Sequence, residues 1–381
     1  MTDAAELTAA LIRCPSVTPD AAEPLDLLAG QLSAAGFECV RADRGETFNL
    51  FARWGARGAA RSFGFNGHVD VVPPGDPASW THPPFSGHRD EDGVIWGRGA
   101  TDMKSGVAAF VAAAIDFVTE TPPEKGAIII TVTGDEEGPA HDGTTAILDW
   151  MEGAGEVMSV CLVGEPSNPE TLGEMIKIGR RGSVTYRVTA RGVQGHAAYP
   201  HRVRNPLHAL CWFLDEAAST PLDEGSTHFD PSGLQVTTID CGNPASNVVP
   251  ETATAVFNIR FNDLHTPASI DADFQERAAR ISAETGVAIL LTPEVAGESF
   301  LTAPGPFVDL VSQVVEDETG IRPVLSTSGG TSDARFIKDH CPVVEFGLVG
   351  RHMHEVDERV PADEVRALQR IYTGILRKYF A

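Results

Sequence analysis

The N-terminal part of the chain alternates short apolar, β-branched runs with longer stretches of helical apolar spacing. The runs 61–65, 127–133 and 159–163 predict strands, and the Ala-rich stretch 105–117 predicts a helix. Residues 1–17 have the pattern of an amphipathic first helix. The alternation is typical of an α/β domain with a largely parallel sheet, in which ligands bind beyond the carboxyl ends of the strands.

The middle of the chain has a different order of elements. From about residue 180 the pattern predicts two helices, 206–218 and 267–285, placed among four strands, 183–191, 234–240, 252–261 and 287–292. This βαββαβ order indicates a ferredoxin-like arrangement. The α/β pattern then resumes with a helix, a strand and a last helix at 307–319, 342–347 and 361–379. We therefore expect a discontinuous domain of residues 1–179 and 296–381, into which a domain of residues 180–295 is inserted.

Charge and hydropathy exclude several classes of partner. Asp and Glu number 53 against 29 Lys and Arg, a net charge of −24 that repels nucleic acid and anionic membranes. The apolar run 107–115 ends at Asp116, far short of the roughly 20 residues that span a bilayer. We expect a partner that is neither nucleic acid nor membrane.

Cysteine usage and the chain start indicate a compartment. The first residues carry Asp3 and Glu6 before any Arg, which is unlike the basic start of a signal peptide. Six cysteines lie far apart with no C-x-x-C pair: Cys14, Cys39, Cys161, Cys211, Cys241 and Cys341. This spacing predicts reduced core thiols and a cytoplasmic protein.

Two segments near predicted strand ends carry the first candidate ligands. His68 and Asp70 are two apart in an extended stretch, so their side chains project to the same side. Alone, this pair is equally compatible with a turn and a solvated Asp. The Gly-rich segment 97–106 matches no phosphate-loop spacing, and its Asp102 and Thr101 are also candidates for capping the helix that follows.

Three further segments add carboxylates and an imidazole. Glu136 and Glu137 follow an apolar strand in a turn bounded by glycines, where adjacent like charges are costly without a cation. Glu165 and His354 also follow predicted strands. Together with His68, these residues form a mixed nitrogen and oxygen set that suits zinc, cobalt or manganese. Three carboxylates and one hydroxide would balance the charge of two divalent cations.

These motifs resemble those of the M20 family of co-catalytic zinc amidohydrolases and peptidases, over nearly the whole chain. The most specific stretches are 67–75, 99–104, 133–140, 179–183, 194–201 and 328–336. The resemblance implies a mixed-sheet α/β catalytic domain of the zinc-peptidase kind with an inserted ferredoxin-like dimerisation domain. The elements 180–183 and 329–333 favour the branch of the family that removes succinyl groups. Deacetylation of N-acetyl amino acids is the alternative, and a non-hydrolytic metal-binding protein is an alternative of another class.

The resemblance also implies metal ligands, with two zinc ions per subunit for which cobalt or manganese could substitute. One zinc would be bound by His68 and Glu165 and the other by Glu137 and His354. Asp102 would bridge the two ions.

Three catalytic roles are implied in the same way. Glu136 would be the general base, Asp70 would orient His68, and His196 would stabilise the oxyanion. His196 lies in the inserted domain and would come from the partner subunit of a homodimer formed through that domain.

A basic stretch indicates an anionic substrate. Residues 177–204 contain seven Lys or Arg and no Asp or Glu, and Arg matches carboxylates in bidentate geometry. Within this stretch, Arg187 and Arg191 are expected to be solvated strand positions. The resemblance nominates as substrate contacts Lys177, Arg180, Ser183, Tyr199, Asn247, Arg260, Thr331 and Arg335.

Overall fold

The computed structural model describes residues 2–381. Its helices are α1 (Ala4–Ile12), α2 (Ala22–Ala34), α3 (Lys104–Glu120), α4 (Thr144–Ala154), α5 (Pro206–Ser219), α6 (Pro267–Thr285), α7 (Pro306–Thr319), α8 (Ala334–Ile337) and α9 (Ala362–Phe380). Its strands are β1 (Glu38–Arg41), β2 (Asn49–Gly55), β3 (Ser62–His68), β4 (His88–Arg89), β5 (Val94–Trp96), β6 (Ala127–Thr133), β7 (Val160–Val163), β8 (Met175–Lys177), β9 (Gly179–Arg180), β10 (Gly182–Arg191), β11 (Gly195–His196), β12 (Gly233–Asp240), β13 (Val248–Val249), β14 (Thr252–Phe261), β15 (Ala288–Gly297), β16 (Phe300–Leu301), β17 (Val324–Ser326), β18 (Val343–Glu345) and β19 (Arg359–Pro361).

The chain divides into two compact units. The first comprises residues 2–178, Thr302–Ser326 and Ser332–Ala381. The second comprises Gly179–Leu301 and the short segment Thr327–Thr331. Within residues 2–381, no helix combines the length and the apolar content that a membrane crossing requires.

The first unit is built on an eight-stranded mixed sheet, which confirms the predicted α/β class. Its strand order is β1-β2-β6-β3-β7-β18-β8-β17. Only its middle, β6-β3-β7-β18, is a continuous parallel run, because β1, β2 and β8 pair antiparallel with their inner neighbours. The Ala-rich α3 is buried over most of its length and packs with α1 and α9. The core of this unit lies between those helices and the sheet.

Strand register explains where chemistry collects in this unit. His68 at the end of β3 pairs with Thr133 at the end of β6, and Asn66 pairs with Val163 at the end of β7. The three neighbouring parallel strands therefore finish at one edge of the sheet. The segments that carry the predicted acidic ligands leave from that edge.

The second unit contains an antiparallel sheet of order β12-β14-β10-β15, with α5 and α6 packed against it. Counted along βαββαβ, this order is 2-3-1-4, the ferredoxin-like arrangement. Buried aromatic side chains of the strands, Tyr186 and Phe257, pack with Phe213 of α5 and Phe274 of α6. The other face of β10 exposes Arg187 and Arg191, as predicted.

Helix α1 forms as predicted, with exposed Glu6 and half-buried Ala10 on one side and its other seven residues buried. Two other expectations about local structure are wrong. Met103 is the N-cap residue of α3, whereas Thr101 donates its hydroxyl to the Arg359 carbonyl and Asp102 contacts histidines. Cys211 and Cys241 are exposed rather than in the core.

Strand β15, the last strand of the four-stranded sheet, is also longer than predicted. It continues past residue 292 to Gly297 because β10 pairs with it along its whole length. The long-range pairing extends the strand beyond the apolar run that predicted it.

Candidate metal centre and active site

A carboxylate lies between two imidazoles at the edge where the parallel strands end. Asp102 Oδ1 is 3.2 Å from His68 Nε2, and Asp102 Oδ2 is 3.4 Å from His354 Nε2. His354 Nε2 is also 2.8 Å from Glu137 Oε1, and His68 Nε2 is 3.6 Å from Glu165 Oε1. The five residues predicted as metal ligands, distant in sequence, therefore converge around Asp102.

Asp70 organises this cluster from behind. The His68 Nδ1–H donates to the Asp70 backbone carbonyl at 2.9 Å, while the Asp70 carboxylate is farther from that nitrogen, at 3.6 Å. The carboxylate instead accepts the backbone N–H groups of Glu136 and Glu137, at 3.2 and 3.1 Å. The spacing of His68 and Asp70 predicts a contact between their side chains. In the structure Asp70 orients His68 through its carbonyl and holds the acidic turn through its carboxylate.

The donor set fits metal cations. Because Nδ1 of His68 carries the hydrogen, the lone pair of Nε2 in the neutral ring faces the oxygens of Asp102 and Glu165. Acceptors face one another in this way only when a proton or a cation lies between them. Ligand atoms lie within 4.8 Å of one another in two groups, His68–Asp102–Glu137 and His68–Glu136–Glu165.

The second of these groups places Glu136 as close to His68 as a ligand would be. Geometry alone therefore leaves two roles for Glu136, ligand and base. Its assignment as the base rests on the resemblance.

Burial and the concentration of negative charge in the cluster raise the pKa of two of its carboxylates. Burial raises the pKa of Glu136 to about 8, reinforced by the charges of Asp333, Glu137 and Asp102 against the attraction of His68. Burial and the Asp102 charge likewise raise the pKa of Glu165 well above its ordinary value. Buried carboxylates in this state gain from added positive charge, which is what divalent cations would supply.

The pKa values of the two histidines are raised and that of the central aspartate is lowered, as expected for opposite charges that lie close together. Burial lowers the pKa of His68, but the hydrogen bond to Asp102 and the charge of Glu165 outweigh it, and the net pKa is raised. Hydrogen bonds to Asp102 and Glu137 raise the pKa of His354 to about 10. Burial opposes ionisation of Asp102, yet its hydrogen bonds with His354 and His68 lower its pKa overall.

The second unit carries His196 on an exposed loop. Strand β11 ends at His196 and pairs with β13, and the next residue, Ala197, donates its N–H to the Asn247 carbonyl at 2.9 Å. His196 Nδ1 accepts the N–H of Ala198 at 3.0 Å, so the hydrogen of the neutral ring is on Nε2. The Tyr199 ring lies 5.5 Å from the His196 ring, and both side chains are exposed.

The predicted substrate contacts are distributed over both units. In the first unit, Lys177 is buried and its Nζ lies 2.9 Å from Met175 Sδ, and the Arg335 guanidinium covers the Phe336 ring. In the second unit, Arg180 donates to the Gly330 carbonyl at 3.2 Å, beside Thr331. Ser183 accepts from Asn258 and pairs in register with Arg260.

Several buried polar residues around the cluster are not predicted from the sequence. Arg98 and Glu358 form a buried ion pair of 2.8 Å next to Asp102. Asp333 accepts the Thr144 hydroxyl at 2.7 Å, and Thr144 also contacts Asn66, two residues before His68. The glycines that flank Arg98 were a partial signal of close packing there. Glu358 lies in an acidic segment that resembles a solvated surface, so the local sequence gives no signal that this residue is buried.

Comparisons with known proteins identify the family of the chain. The family described as peptidase family M20/M25/M40 matches residues 64–378. A succinyl-diaminopimelate desuccinylase of Paracoccus denitrificans is 71% identical over 379 residues, covering 100% of this chain and 99% of the relative. One from Cereibacter sphaeroides is 62% identical with the same coverage.

Solved structures share the fold at low sequence identity. The aminopeptidase PepT of Bacillus cereus superposes with a TM-score of 0.79 at 20% identity, covering 99% of this chain and 98% of its own. The Bacillus subtilis protein YxeP, described as a dinuclear metal-binding M20 peptidase, gives a TM-score of 0.74 at 14% identity, with 98% and 96% covered. Both likenesses extend over nearly the full length of the chain.

Proposed function

The chain belongs to peptidase family M20/M25/M40, and on this basis we propose that it hydrolyses N-succinyl-L,L-2,6-diaminopimelate to succinate and L,L-2,6-diaminopimelate, a step of lysine and diaminopimelate synthesis. The observation that carries the proposal is the 71% identity, along the full chain, with a relative named for this reaction. The candidate metal-binding cluster supports the proposal, because metal-assisted hydrolysis needs a group of ligands of this kind.

We propose that the cluster holds two Zn²⁺ ions, with Co²⁺ or Mn²⁺ as substitutes. His68 and Glu165 would hold one ion, Glu137 and His354 the other, and Asp102 would bridge them. Bound ions would lower the pKa of water for attack and polarise the amide carbonyl. Asp70 fixes the donor set from behind, because it hydrogen-bonds both His68 and the turn that carries Glu137.

Glu136 is proposed as the general base. Its carboxylate lies within ligand distance of His68. As the base it would not bind a metal ion but would face the attacking water. There it would take a proton from the attacking water and deliver it to the leaving amine. The hydrogen bond from its own N–H to Asp70 holds the base in place while the side chain transfers the proton.

His196 of the partner subunit is proposed to donate to the oxyanion. Its Nδ1 is already occupied by the Ala198 N–H, which leaves Nε2–H as the donor that an oxyanion needs. A homodimer through the second unit is supported by the exposed surface around its outer strand. Ile239 of β12 is 58% exposed, and Trp212 is exposed on α5, the helix that packs against β12.

Subunit complementation tests this arrangement. His196→Ala and Glu136→Gln are each expected to be nearly inactive, whereas a refolded equal mixture should recover about a quarter of wild-type activity, since half of its dimers contain one intact site. Activity of the mixture is measured against protein concentration and compared with each variant refolded alone. No recovery in a mixture shown to contain mixed dimers would contradict donation by the partner subunit.

The remaining contacts are proposed to bind the substrate carboxylates. Arg180, Arg260 and Lys177 supply positive charge, and Ser183, Thr331 and Asn247 supply neutral hydrogen-bonding groups. Tyr199 and Arg335 complete the proposed set.

We also propose a cytoplasmic location, which rests on the spacing of the cysteines.

A substrate panel tests the specificity. We expect kcat/KM for N-succinyl-diaminopimelate to exceed that for N-acetylornithine by at least about 100-fold, because the acetyl group lacks the carboxylate that an Arg would pair with. Succinate and acetate release are followed directly on the metal-loaded enzyme. A preference for N-acetylornithine would assign the chain to acetylornithine deacetylation instead.

A further inference from the structure

One buried carboxylate accepts several backbone hydrogen bonds from the segment that carries Asp102. Glu358 Oε1 accepts the N–H groups of Thr101 and Asp102, at 2.8 and 3.0 Å. Its Oε2 accepts the N–H of Gly99 at 2.9 Å and the guanidinium of Arg98 at 2.8 Å. Glu358 is fully buried, so these four donors replace its water shell.

The guanidinium of Arg98 extends the connection to the segment that carries His354. Its Nη1 also donates to the Glu355 carbonyl at 3.1 Å, and its Nη2 donates to the His354 carbonyl at 3.4 Å. Its plane lies over the Trp80 ring, 5.2 Å from the centroid. A single ion pair therefore contacts the backbone of Asp102 and the backbone of His354, which are 252 residues apart in the chain (354 − 102).

The His354 segment needs such support because two of its residues have an unfavourable backbone conformation. His354 and Asp357 both have φ of +62°, in the left-handed region that residues other than glycine adopt at a cost. Asp357 is held by Thr81, whose N–H and hydroxyl each donate to its carboxylate at 2.7 Å. The backbone at His354 is stabilised in a similar way, because its carbonyl accepts a hydrogen bond from Arg98.

We propose that Arg98 and Glu358 are positioning residues that set the distance between Asp102 and His354, and so the geometry of the second metal position. The proposal rests on the proposed metal centre. Neither residue is among the proposed metal ligands or substrate contacts. Each acts through the backbone of a ligand, the kind of outer partner whose loss typically weakens metal affinity by about 10- to 100-fold.

Glu358→Gln is the test, because the amide keeps the size of the side chain but turns one acceptor into a donor. That donor would face either the Gly99 N–H and Arg98 or the amides of Thr101 and Asp102. The matched control is Glu156→Gln in the pair Arg53–Glu156, which is also buried, is joined at 3.0 Å, and has side-chain hydrogen bonds that involve no proposed ligand. Both variants break a buried ion pair, and only one of these pairs contacts ligand backbone.

Two readouts separate positioning from simple stability. Metal-free full-length protein is titrated with Co²⁺ against a chelator while the visible absorption of bound Co²⁺ is recorded. In Glu358→Gln we expect the weaker-held ion to lose about 10- to 100-fold in affinity and its absorption bands to shift. At saturating Co²⁺, kcat should fall with KM nearly unchanged, since Glu358 does not contact substrate. Glu156→Gln should lower the melting temperature while leaving Co²⁺ affinity within about twofold.

Wild-type Co²⁺ affinity and absorption in Glu358→Gln would overturn the proposal, and so would an equal loss of affinity in Glu156→Gln. If Glu358→Gln does not fold, Arg98→Lys carries the test, because Lys keeps the charge but cannot reach all the acceptors of the guanidinium. The Co²⁺ titration needs no substrate. A chain that binds two Co²⁺ ions but does not release succinate would refute the proposed function and leave the positioning test intact.

Discussion

Glu136→Gln is expected to lower kcat by about 10²- to 10⁴-fold while the metal content of the protein stays unchanged. The amide cannot accept the proton of the attacking water, whereas its size and its N–H to Asp70 are preserved. Succinate release and metal content are measured on the same preparation. This pairing matters because Glu136 lies within ligand distance of His68, and a ligand role would appear as lost metal.

The control for this variant is Asp135→Asn in the same turn. Asp135 is buried and accepts the Asp142 N–H, and the oxygen of an asparagine side chain can accept the same bond. We expect its kcat to stay within about threefold of wild type, since it removes one negative charge without touching the reacting groups. Hydrolysis at the wild-type rate by Glu136→Gln with full metal content would show that another group accepts the proton.

Elements with strong local signals were predicted to the residue. Helix α6 was expected at 267–285 and occupies those residues, because Thr266 forms a capping box with Ser269 and Gly286 ends the helix in the left-handed conformation. Strand β14 was likewise expected at 252–261, where its apolar positions alternate toward the core of the second unit. In both cases the information lies within a few residues of the element.

The convergence of the site also followed from the sequence, for a topological reason. Parallel strands end at the same edge of a sheet, so acidic residues just after β3, β6 and β7 had to lie near one another. The assignment of each residue to a role needed the resemblance as well. Spacing alone left two alternatives open for each residue: Asp102 as a ligand or a helix cap, and His68 as a ligand or part of an ordinary turn.

What the sequence did not predict depends on contacts between distant segments. Glu358 has no local pattern that distinguishes it from the exposed acids around it, and its function appears only when the amides of residues 99–102 surround it. The sequence pattern predicts α1 as an amphipathic helix but does not predict how much of the helix is covered. Packing with α3 and α9 buries most of it.

Asp102→Asn is expected to remove one of the two metal ions and to lower kcat by more than about 100-fold, beyond the usual effect of changing an outer partner. The two carboxylate oxygens of Asp102 face different imidazoles, His68 at 3.2 Å and His354 at 3.4 Å. An asparagine keeps one oxygen and turns the other position into an NH₂ group, which cannot bind a cation. One metal position would therefore lose its shared ligand while the other keeps it.

Metal stoichiometry, measured by mass spectrometry after equilibration with limited Zn²⁺, distinguishes this outcome from a general loss of structure. The matched control is Asp76→Asn, an exposed aspartate that caps a short 3₁₀ helix by accepting the Ala78 N–H, a bond that asparagine also accepts. Asp76→Asn should bind two ions and keep wild-type kcat. If Asp102→Asn did the same, the carboxylate between the two histidines would not be a bridge, and the pairing of His68 with one ion and His354 with the other would lose its basis.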